Sequence, residues 1–149
     1  MSFRQQFDTT QWRRLQFAPF LILSGVSGRY RDFALEETIV FEHWLDEAAR
    51  APGALSREVL SSVSAEVAEI TADYETYDVT IVSGLTAVAD LLVGQPVAES
   101  DAFRGALIQV LGAGMARARG PYGKKPTTES AQMLTMLEEF LRPGITFAA

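Results

Sequence analysis

The sequence predicts an all-α protein, a compact bundle of about five to seven helices. Apolar residues recur at the spacing of amphipathic helices over most of the 149 residues, and the one short β-branched run has no partner strand elsewhere. In addition, one helix–loop–helix pattern occurs twice in the chain, about ninety residues apart. A repeat of this kind indicates two related helical units within one pseudo-symmetric domain.

Each copy of the repeat reads Gly-x-Tyr, then six residues, then glutamate, with apolar residues four, seven and eight positions after that glutamate. The glutamate is Glu37 in the first copy and Glu129 in the second, and the two units cover about residues 10–50 and 100–142. We therefore expect the first two helices and the last two to be related by an approximate two-fold axis. No long linker interrupts the chain, so residues 1–149 are expected to form a single domain.

The first helix is expected to begin near Thr9. Asp8 and Gln11 fit a capping box, in which each side chain accepts a hydrogen bond from the other residue's backbone N–H. Pro19 lies inside the apolar pattern that follows, and because this pattern resumes at once we expect a kink rather than an end. Gly28 marks the exit from the helix.

The second helix is expected to start near Phe33 or Ala34 and to stop at the Ala-Pro-Gly turn of residues 51–53. Its inward-facing residues at helical spacing are Ile39, Val40, Phe41, Trp44, Leu45 and Ala48. Ser56 is the predicted cap of a third helix, whose apolar stripe consists of Leu60, Val63, Val67 and Ile70.

Three more helices complete the predicted bundle. The fourth covers roughly residues 77–93 and contains the β-branched run. Ser100 and Asp101 are the predicted caps of the fifth, and the last helix covers roughly residues 127–141. We expect the inner layer of the bundle to include Leu15, Phe20, Leu23, Phe41, Leu45, Leu60, Val63, Val67, Leu85, Leu107, Leu111, Leu134 and Leu137.

The composition excludes several classes of protein. Hydrophobic residues make up 48% of the chain and charged residues 21%, values typical of a folded globular domain. Cysteine is absent, which excludes disulfides, thiolate catalysis and cysteine-ligated zinc. The first residues lack the apolar core of a secretory signal, and no uncharged run reaches the ~20 residues of a membrane helix. We therefore expect a soluble cytoplasmic protein with no membrane span.

The net charge of −6 is unevenly distributed along the chain. Between Glu36 and Asp78 there are eleven acidic residues and only two basic ones, Arg50 and Arg57. Basic residues gather instead around the two repeated loops. The overall acidity argues against nucleic acid as a partner.

Beyond the helical pattern, particular residues in both halves of the chain resemble those of a known family. In the first half they are Trp12, Leu15, Ala18, Pro19, Phe20, Glu36 and Glu37. In the second half they are Phe103, Arg104, Leu107, Met115, Ala116, Arg117, Ala118, Arg119, Gly120 and Glu129. In spacing and residue class, over about residues 10–142, the chain resembles the TerB-like family of all-helical domains, named for a bacterial tellurite-resistance protein.

The resemblance implies a helical bundle with no known enzymatic step and a role in stress responses to toxic oxyanions or damage. Some members of the family bind divalent metal through acidic residues in the loops between helices. The positions of this chain that match best are Asp32, Glu37 and Glu129, with Glu36 adjacent. The family loop usually reads Asp-Gly, whereas both loops of this chain carry basic residues, so the family's metal site does not carry over intact.

These carboxylates have two interpretations. As a metal site, they would supply the oxygen ligands that hard cations prefer. Alternatively, Glu36, Glu37 and Glu129 lie in first helical turns, where acidic side chains complement the helix dipole. The second interpretation is favoured because nearby bases repel a cation, so no cofactor is expected and a divalent metal is the alternative.

The basic residues of the loops predict the opposite kind of site. Each loop is followed by a helix N-terminus, whose free N–H groups attract phosphate, sulfate or another oxyanion. If the two loops lie together, those N-termini would be surrounded by the predicted anion- or partner-binding residues, which are Arg29, Arg31, Arg117, Arg119, Lys124 and Lys125. Ordinary solvated loop charges are the simpler interpretation.

The sequence offers little for catalysis. His43 is the only histidine, and although Glu47 lies on the same helix face, an exposed or half-packed residue is the favoured interpretation. The acidic stripe of Glu66, Glu69 and Asp73 is interpreted as the solvated side of the third helix. We therefore expect a non-enzymatic binding or scaffolding domain that acts through a protein partner, a second copy of the chain included, or through a small ion. An enzyme that uses the His43 helix is the competing class.

Overall fold

The computed structural model describes residues 2–28, 33–118 and 128–142, without the side chains of Ala118 and residues 128–130. These ranges form a 3₁₀ turn and seven helices, and they contain no strand, so the predicted all-α class and helix number are confirmed. The turn is Phe3–Gln6, and the helices are α1 (Thr9–Ser27), α2 (Leu35–Ala49), α3 (Ala54–Ala65), α4 (Val67–Glu75), α5 (Ile81–Leu92), α6 and α7 (Thr128–Phe140). Helix α6 has three consecutive segments, an α-helical one (Val97–Gly105), a π-helical one (Ala106–Gly112) and an α-helical one (Ala113–Ala118).

Helix α1 lies at the centre of the bundle and contacts each of the other six helices. Every residue from Leu15 to Ser27 is buried, so α1 has no solvated face over its last three turns. A helix that is mostly apolar all round must be enclosed by others, and the sequence of α1 meets that condition. Its position determines how the remaining helices are arranged.

The predicted ends of α1 are confirmed. The Asp8 carboxylate accepts the Gln11 N–H at 2.7 Å, and the Gln11 side chain accepts the Asp8 N–H at 2.9 Å, which completes the capping box. Pro19 lies inside the helix without ending it, and Gly28 ends it in the left-handed conformation with φ 73°.

An aromatic cluster joins α1 to α2, α4 and the segment after α4. The ring of Phe20 lies 5.0 Å from that of Phe41 and 5.3 Å from that of Tyr74. The ring of Phe17 stacks on Tyr77 at 4.4 Å. The one polar atom that Tyr74 brings into this core is satisfied, because its hydroxyl and that of Ser24 form a hydrogen bond of 2.7 Å.

Helix α6 approaches its neighbours through glycine. A Cβ atom at Gly114 would overlap the indole ring of Trp44 in α2, and one at Gly112 would lie 2.7 Å from a methyl carbon of Leu134 in α7. These two glycines therefore permit close helix packing.

Three predicted helix starts are wrong. Helix α3 begins at Ala54, two residues before Ser56, because the preceding Gly53 adopts φ 123° and turns the chain directly into the helix. Helix α6 begins at Val97, ahead of Ser100, whose hydroxyl donates to the Leu92 carbonyl at 3.0 Å instead of capping its own helix.

The fourth predicted helix starts four residues later than expected, at Ile81. Thr80 caps it, and the Thr80 hydroxyl oxygen accepts the Ser83 N–H at 3.0 Å. Tyr77, three residues before Thr80, is held outside the helix because its ring stacks on Phe17. The third predicted helix is also divided, because the structure breaks it at Glu66 into α3 and α4.

Most of the predicted core is buried. The exceptions are Val67 and Leu134, which are partly buried against the core. Ile39 was predicted to face inward but is 58% exposed, since α2 meets the bundle through Phe41, Leu45 and Ala48.

The second copy of the repeat buries Leu137, the counterpart of Leu45, but it does not bury Met133, the counterpart of the buried Phe41. Met133 and Met136 are 36% and 48% exposed, while Leu137 and Leu141 are buried. Helix α7 therefore presents a different stripe to the core from the one that the repeat predicts, and the approximate two-fold relation stays a prediction.

We expect Gly114→Ala to lower the free energy of unfolding by about 1–3 kcal/mol, because the added methyl group must displace the Trp44 ring from a filled contact. Urea unfolding followed by circular dichroism measures this loss. The matched control is Gly94→Ala, at a site with no atom within 4 Å of the added Cβ, which should change stability by less than about 0.5 kcal/mol. Equal losses in the two variants would contradict the assigned contact.

Candidate functional site

Most of the predicted basic site lies outside the described residues. Of its six members, the structure describes Arg117, which is exposed in the last turn of α6. The predicted residues that lie outside the described ranges are Arg29, Arg31, Arg119, Lys124 and Lys125, together with the acidic residue Asp32. What the structure does establish is where the helices that carry these loops begin and end.

The first basic loop connects the end of α1 to the start of α2. Both of these helix ends lie near the end of α6. The last segment of α6 contacts both α1 and α2, whereas its first segment contacts α3, the helix that follows α2. Helices α2 and α6 therefore run antiparallel, and the first turn of α2 lies at the same end of the bundle as the last turn of α6.

The second loop is attached at that same end. Helix α7 returns along α6, since Leu134 lies against Gly112 and the Leu141 carbonyl accepts a hydrogen bond from Arg104 at 3.5 Å. Helices α6 and α7 are thus antiparallel, with the start of α7 next to the end of α6. The described ends of all four helices are consequently close to one end of the bundle, which we call the loop end.

The structure describes the side chains of only some of the predicted metal ligands. Glu36 is exposed, whereas Glu37 accepts the Ala34 N–H at 3.0 Å and so caps the start of α2. Glu129 lies in the first turn of α7, and its side chain is outside the described set. Among the side chains that are described, no group of three or more acidic or histidine residues could hold a metal ion.

His43 lies on the exposed side of α2. Its ring meets the edge of Trp44 at 5.0 Å, while Glu47, the residue predicted to share its face, forms an ion pair with Arg50 at 3.6 Å. The arrangement is that of a surface histidine beside an aromatic ring, as the sequence predicted.

A polar network that the sequence analysis missed joins the N-terminal residues to α3. The Glu58 carboxylate accepts three hydrogen bonds, from the Ser2 hydroxyl at 2.6 Å, the Phe3 N–H at 2.9 Å and the Arg4 N–H at 2.7 Å. Arg4 continues the network to Glu66 at 3.1 Å, and its guanidinium carbon lies 5.5 Å from the centre of the Trp12 indole ring.

A second arginine extends the network along α4. Arg13 pairs with Asp73 at 3.1 Å and with Glu69 at 3.6 Å, and it donates to the side-chain oxygen of Gln16 at 2.9 Å. Gln16 is only 1% exposed, and its amide nitrogen donates to the Ser62 hydroxyl at 3.1 Å.

The acidic stripe is exposed at Glu69 and Asp73, as the sequence predicted, but it also carries ion pairs that the sequence did not predict. Glu66, Glu69 and Asp73 are paired with arginines from the first thirteen residues of the chain. The signal was present in the sequence, because the long acidic stretch contains only two bases of its own and needs others from elsewhere. Sequence alone does not say which bases come to it.

The pKa of the Glu58 carboxyl lies below its usual value. Partial burial acts to raise it, but the hydrogen bonds from Ser2, Arg4 and Phe3, together with the positive charge of Arg4, stabilise the ionised form and outweigh the effect of burial. Glu58 is thus held as a carboxylate by the residues that it binds.

A polar groove of about 460 Å³ lies between α6 and α7. Two ion pairs line it, Asp101 with Arg104 at 2.6 Å and Glu138 with Arg142 at 2.8 Å. All four charges are paired, Asp101 with Arg104 within α6, and Glu138 of α7 with Arg142, which follows that helix, so the described lining of the groove offers no free charge to a ligand.

Comparison with known proteins yields no match to a family model, to a curated protein or to a solved structure. No helix within the described ranges is long and apolar enough to cross a membrane. The fold and the site together define the class, an all-α bundle with a charged surface.

We expect part of the folding stability to depend on pH through Glu58. Because its pKa is lower in the folded state, its contribution is present above the ordinary glutamate pKa of about 4.3 and is lost as the pH falls through the folded value. The difference in unfolding free energy between the native protein and Glu58→Gln should therefore be about 1–2 kcal/mol at pH 7 and should shrink on acidification.

Urea titrations at pH 7 and at pH values below 4 measure this difference. Glu69→Gln is the matched control, since it removes a carboxylate that is largely exposed and 3.6 Å from its arginine. A Glu58→Gln effect that stays constant with pH would show that the carboxylate does not act in the stated way.

Proposed function

We propose that this chain is a TerB-like, non-enzymatic binding or scaffolding domain of a bacterial stress response, and that it acts in the cytoplasm. Support comes from the spacing of residues such as Trp12, Pro19, Glu37 and Glu129, and from the all-helical bundle that this family implies. The proposal includes a single domain with two related helix–loop–helix units.

The observation that carries this proposal is the common location of the helix ends that bear the two basic loops. Helices α1 and α6 end there and α2 and α7 begin there, as their contacts indicate. Two helix N-termini and the exposed Arg117 are consequently close to the points where the loops attach. Five further bases lie in the loop sequences themselves, at positions 29, 31, 119, 124 and 125.

This concentration of positive charge favours an anionic ligand. The free N–H groups of helix N-termini bind oxyanions, and arginine adds a forked pair of donors that matches phosphate or sulfate. An acidic surface on a protein partner would be attracted by the same charges. A divalent metal would instead be repelled by them, and Glu37 is engaged as a helix cap.

We expect isothermal titration calorimetry to detect binding of sulfate, phosphate or tellurite, and weak binding or none for calcium and zinc. The variant Lys124→Glu/Lys125→Glu should lose most of the anion binding, because two positive charges become negative at the proposed site. The matched control is Arg50→Glu/Arg57→Glu, which makes the same change in net charge away from the loop end.

Equal loss of affinity in the two double variants would argue that only net charge matters and would contradict a site at the loop end. Micromolar calcium binding that disappears in Glu37→Gln or Glu129→Gln would restore the metal-binding alternative. In that case the oxygen ligands would be Asp32, Glu36, Glu37 and Glu129.

For the enzymatic alternative, the decisive change is His43→Ala. Because His43 is exposed on α2, we expect this variant to unfold within about 0.5 kcal/mol of the native protein and to bind the same ligands with unchanged affinity. Thermal unfolding and the same calorimetric titrations provide the measurements. A loss of ligand binding without a loss of stability would instead assign His43 to the functional site.

A further inference from the structure

Residues 2–7 form a short segment that precedes α1 and lies against α3 and α4; we call it the N-terminal clasp. Its polar contacts converge on two carboxylates. Glu58 accepts hydrogen bonds from Ser2, Phe3 and Arg4, and Glu66 pairs with the Arg4 guanidinium. Charged hydrogen bonds of this kind are directional, and they are lost together if the carboxylate is removed.

The clasp makes only partial apolar contact with α1. A cavity of about 200 Å³ separates the two, with Arg4 and Phe7 on one side and Thr9, Trp12, Arg13 and Gln16 on the other. Phe3 and Phe7 are only partly buried, and the Phe7 and Trp12 rings are 6.1 Å apart. Ring centroids 6.1 Å apart are in ordinary aromatic contact, so Phe7 contributes some packing against α1, but no residue of the clasp is fully buried.

The Trp12 side chain adds an unfavourable term to the closed arrangement. The residue is 2% exposed, yet its indole N–H has no hydrogen-bond acceptor among the residues that the structure describes. A buried donor without an acceptor costs free energy that water would recover if the donor were uncovered. Opening of the clasp is therefore opposed by the Glu58 and Glu66 contacts and by exposure of the apolar indole ring, and it is favoured by hydration of the indole N–H.

The remaining bundle does not need the clasp in order to stay folded. Helix α1 is capped by its own Asp8–Gln11 capping box, so its first turn keeps its hydrogen bonds when the preceding residues move. Phe7 and Asp8 both have extended backbone conformations, which place a non-helical junction between the clasp and α1. Local opening needs only such a junction and few apolar contacts.

We propose that the N-terminal clasp is a releasable element: it opens as a unit while the helical bundle remains folded, uncovers Trp12 and frees the carboxylates of Glu58 and Glu66. Glu58 is the latch, because three of the clasp's hydrogen bonds end on it. The released state presents a more acidic surface along α3 and α4, next to an uncovered indole ring. This inference does not rest on the proposed function, since it concerns the opposite end of α1 from the loop end.

Amide hydrogen exchange followed by NMR on the full chain tests the proposal. The N–H groups of Phe3 and Arg4 report the clasp directly, because both donate to Glu58, while the N–H groups of Leu21 and Ile22 report the core of α1. We expect exchange at the clasp to be nearly independent of low urea concentrations and exchange in the core to depend on urea strongly, as local and global opening do.

The variant Glu58→Gln should accelerate exchange at Phe3 and Arg4 by about tenfold. Gly114→Ala, which destabilises the bundle away from the clasp, should accelerate exchange at Leu21 and Ile22 and leave the rates at Phe3 and Arg4 unchanged. Glu58→Gln should also shift the indole N–H signal of Trp12 and leave that of Trp44, the other tryptophan, in place. Glu69→Gln is the control, since it removes a neighbouring carboxylate that the clasp does not contact, and it should change none of these signals.

Two results would overturn the proposal. The first is exchange at Phe3 and Arg4 with the same rate and urea dependence as the core, which would make the clasp part of the global folding unit. The second is an equal acceleration of clasp and core in Gly114→Ala, which would show that the clasp opens only when the whole bundle unfolds. Neither result would bear on ligand binding at the loop end.

Discussion

The burial of α1 on all sides is the constraint on which the rest of this structure depends. From Leu15 to Ser27 this helix has no face for solvated side chains, so polar side chains there must find partners inside the protein. Ser24 meets this condition through the Phe20 carbonyl and the Tyr74 hydroxyl, and Gln16 through Arg13 and Ser62. These hydrogen bonds join α1 to α4 and α3. The need of the buried polar side chains of α1 for partners therefore determines where those two helices lie against it.

Close approach of the other helices follows from the same constraint. Six helices reach a single central one only where side chains at the contacts are small or interlock. Glycine provides this at the junction of α6 with α2 and α7, where Gly114 admits the Trp44 ring and Gly112 admits Leu134. The same part of α6 contains the π-helical segment, in which the Ala113 N–H donates to the Ile108 carbonyl, five residues earlier. A wider turn there changes which residues of α6 face α1, although the apolar spacing of the sequence reads as a regular helix.

The comparison of sequence and structure separates local from long-range information. The capping box at Asp8 and the exit at Gly28 could be predicted because each depends on residues within one turn of the helix end. Ser56 and Ser100 look like caps locally, but a left-handed Gly53 and the distant Leu92 carbonyl decide their actual environments. The pairing of the α3–α4 carboxylates with Arg4 and Arg13 could not be predicted either, since it joins residues more than fifty positions apart. In the candidate site, the predicted bases were recognisable from composition, whereas the common location of the helix ends that flank the two loops depends on the antiparallel course of α2 and α6.

Acidic and basic residues are distributed differently around the two ends of α1. Acidic side chains of α3 and α4 lie beside its N-terminal half, where Arg13 and Gln16 contact them, and the basic residues Arg29 and Arg31 follow its C-terminal end in the sequence. This order complements the dipole of a long helix, whose N-terminus is positive and whose C-terminus is negative. In the acidic half, Arg4 and Arg13 neutralise part of the carboxylate charge, so opening of the N-terminal clasp would increase the charge difference between the two halves. A partner that approaches such a molecule is oriented by the field before any contact forms, because oppositely charged ends attract different surfaces. On the two proposals, the loop end would attract an acidic partner surface, and the face along α3 and α4 would attract a basic one.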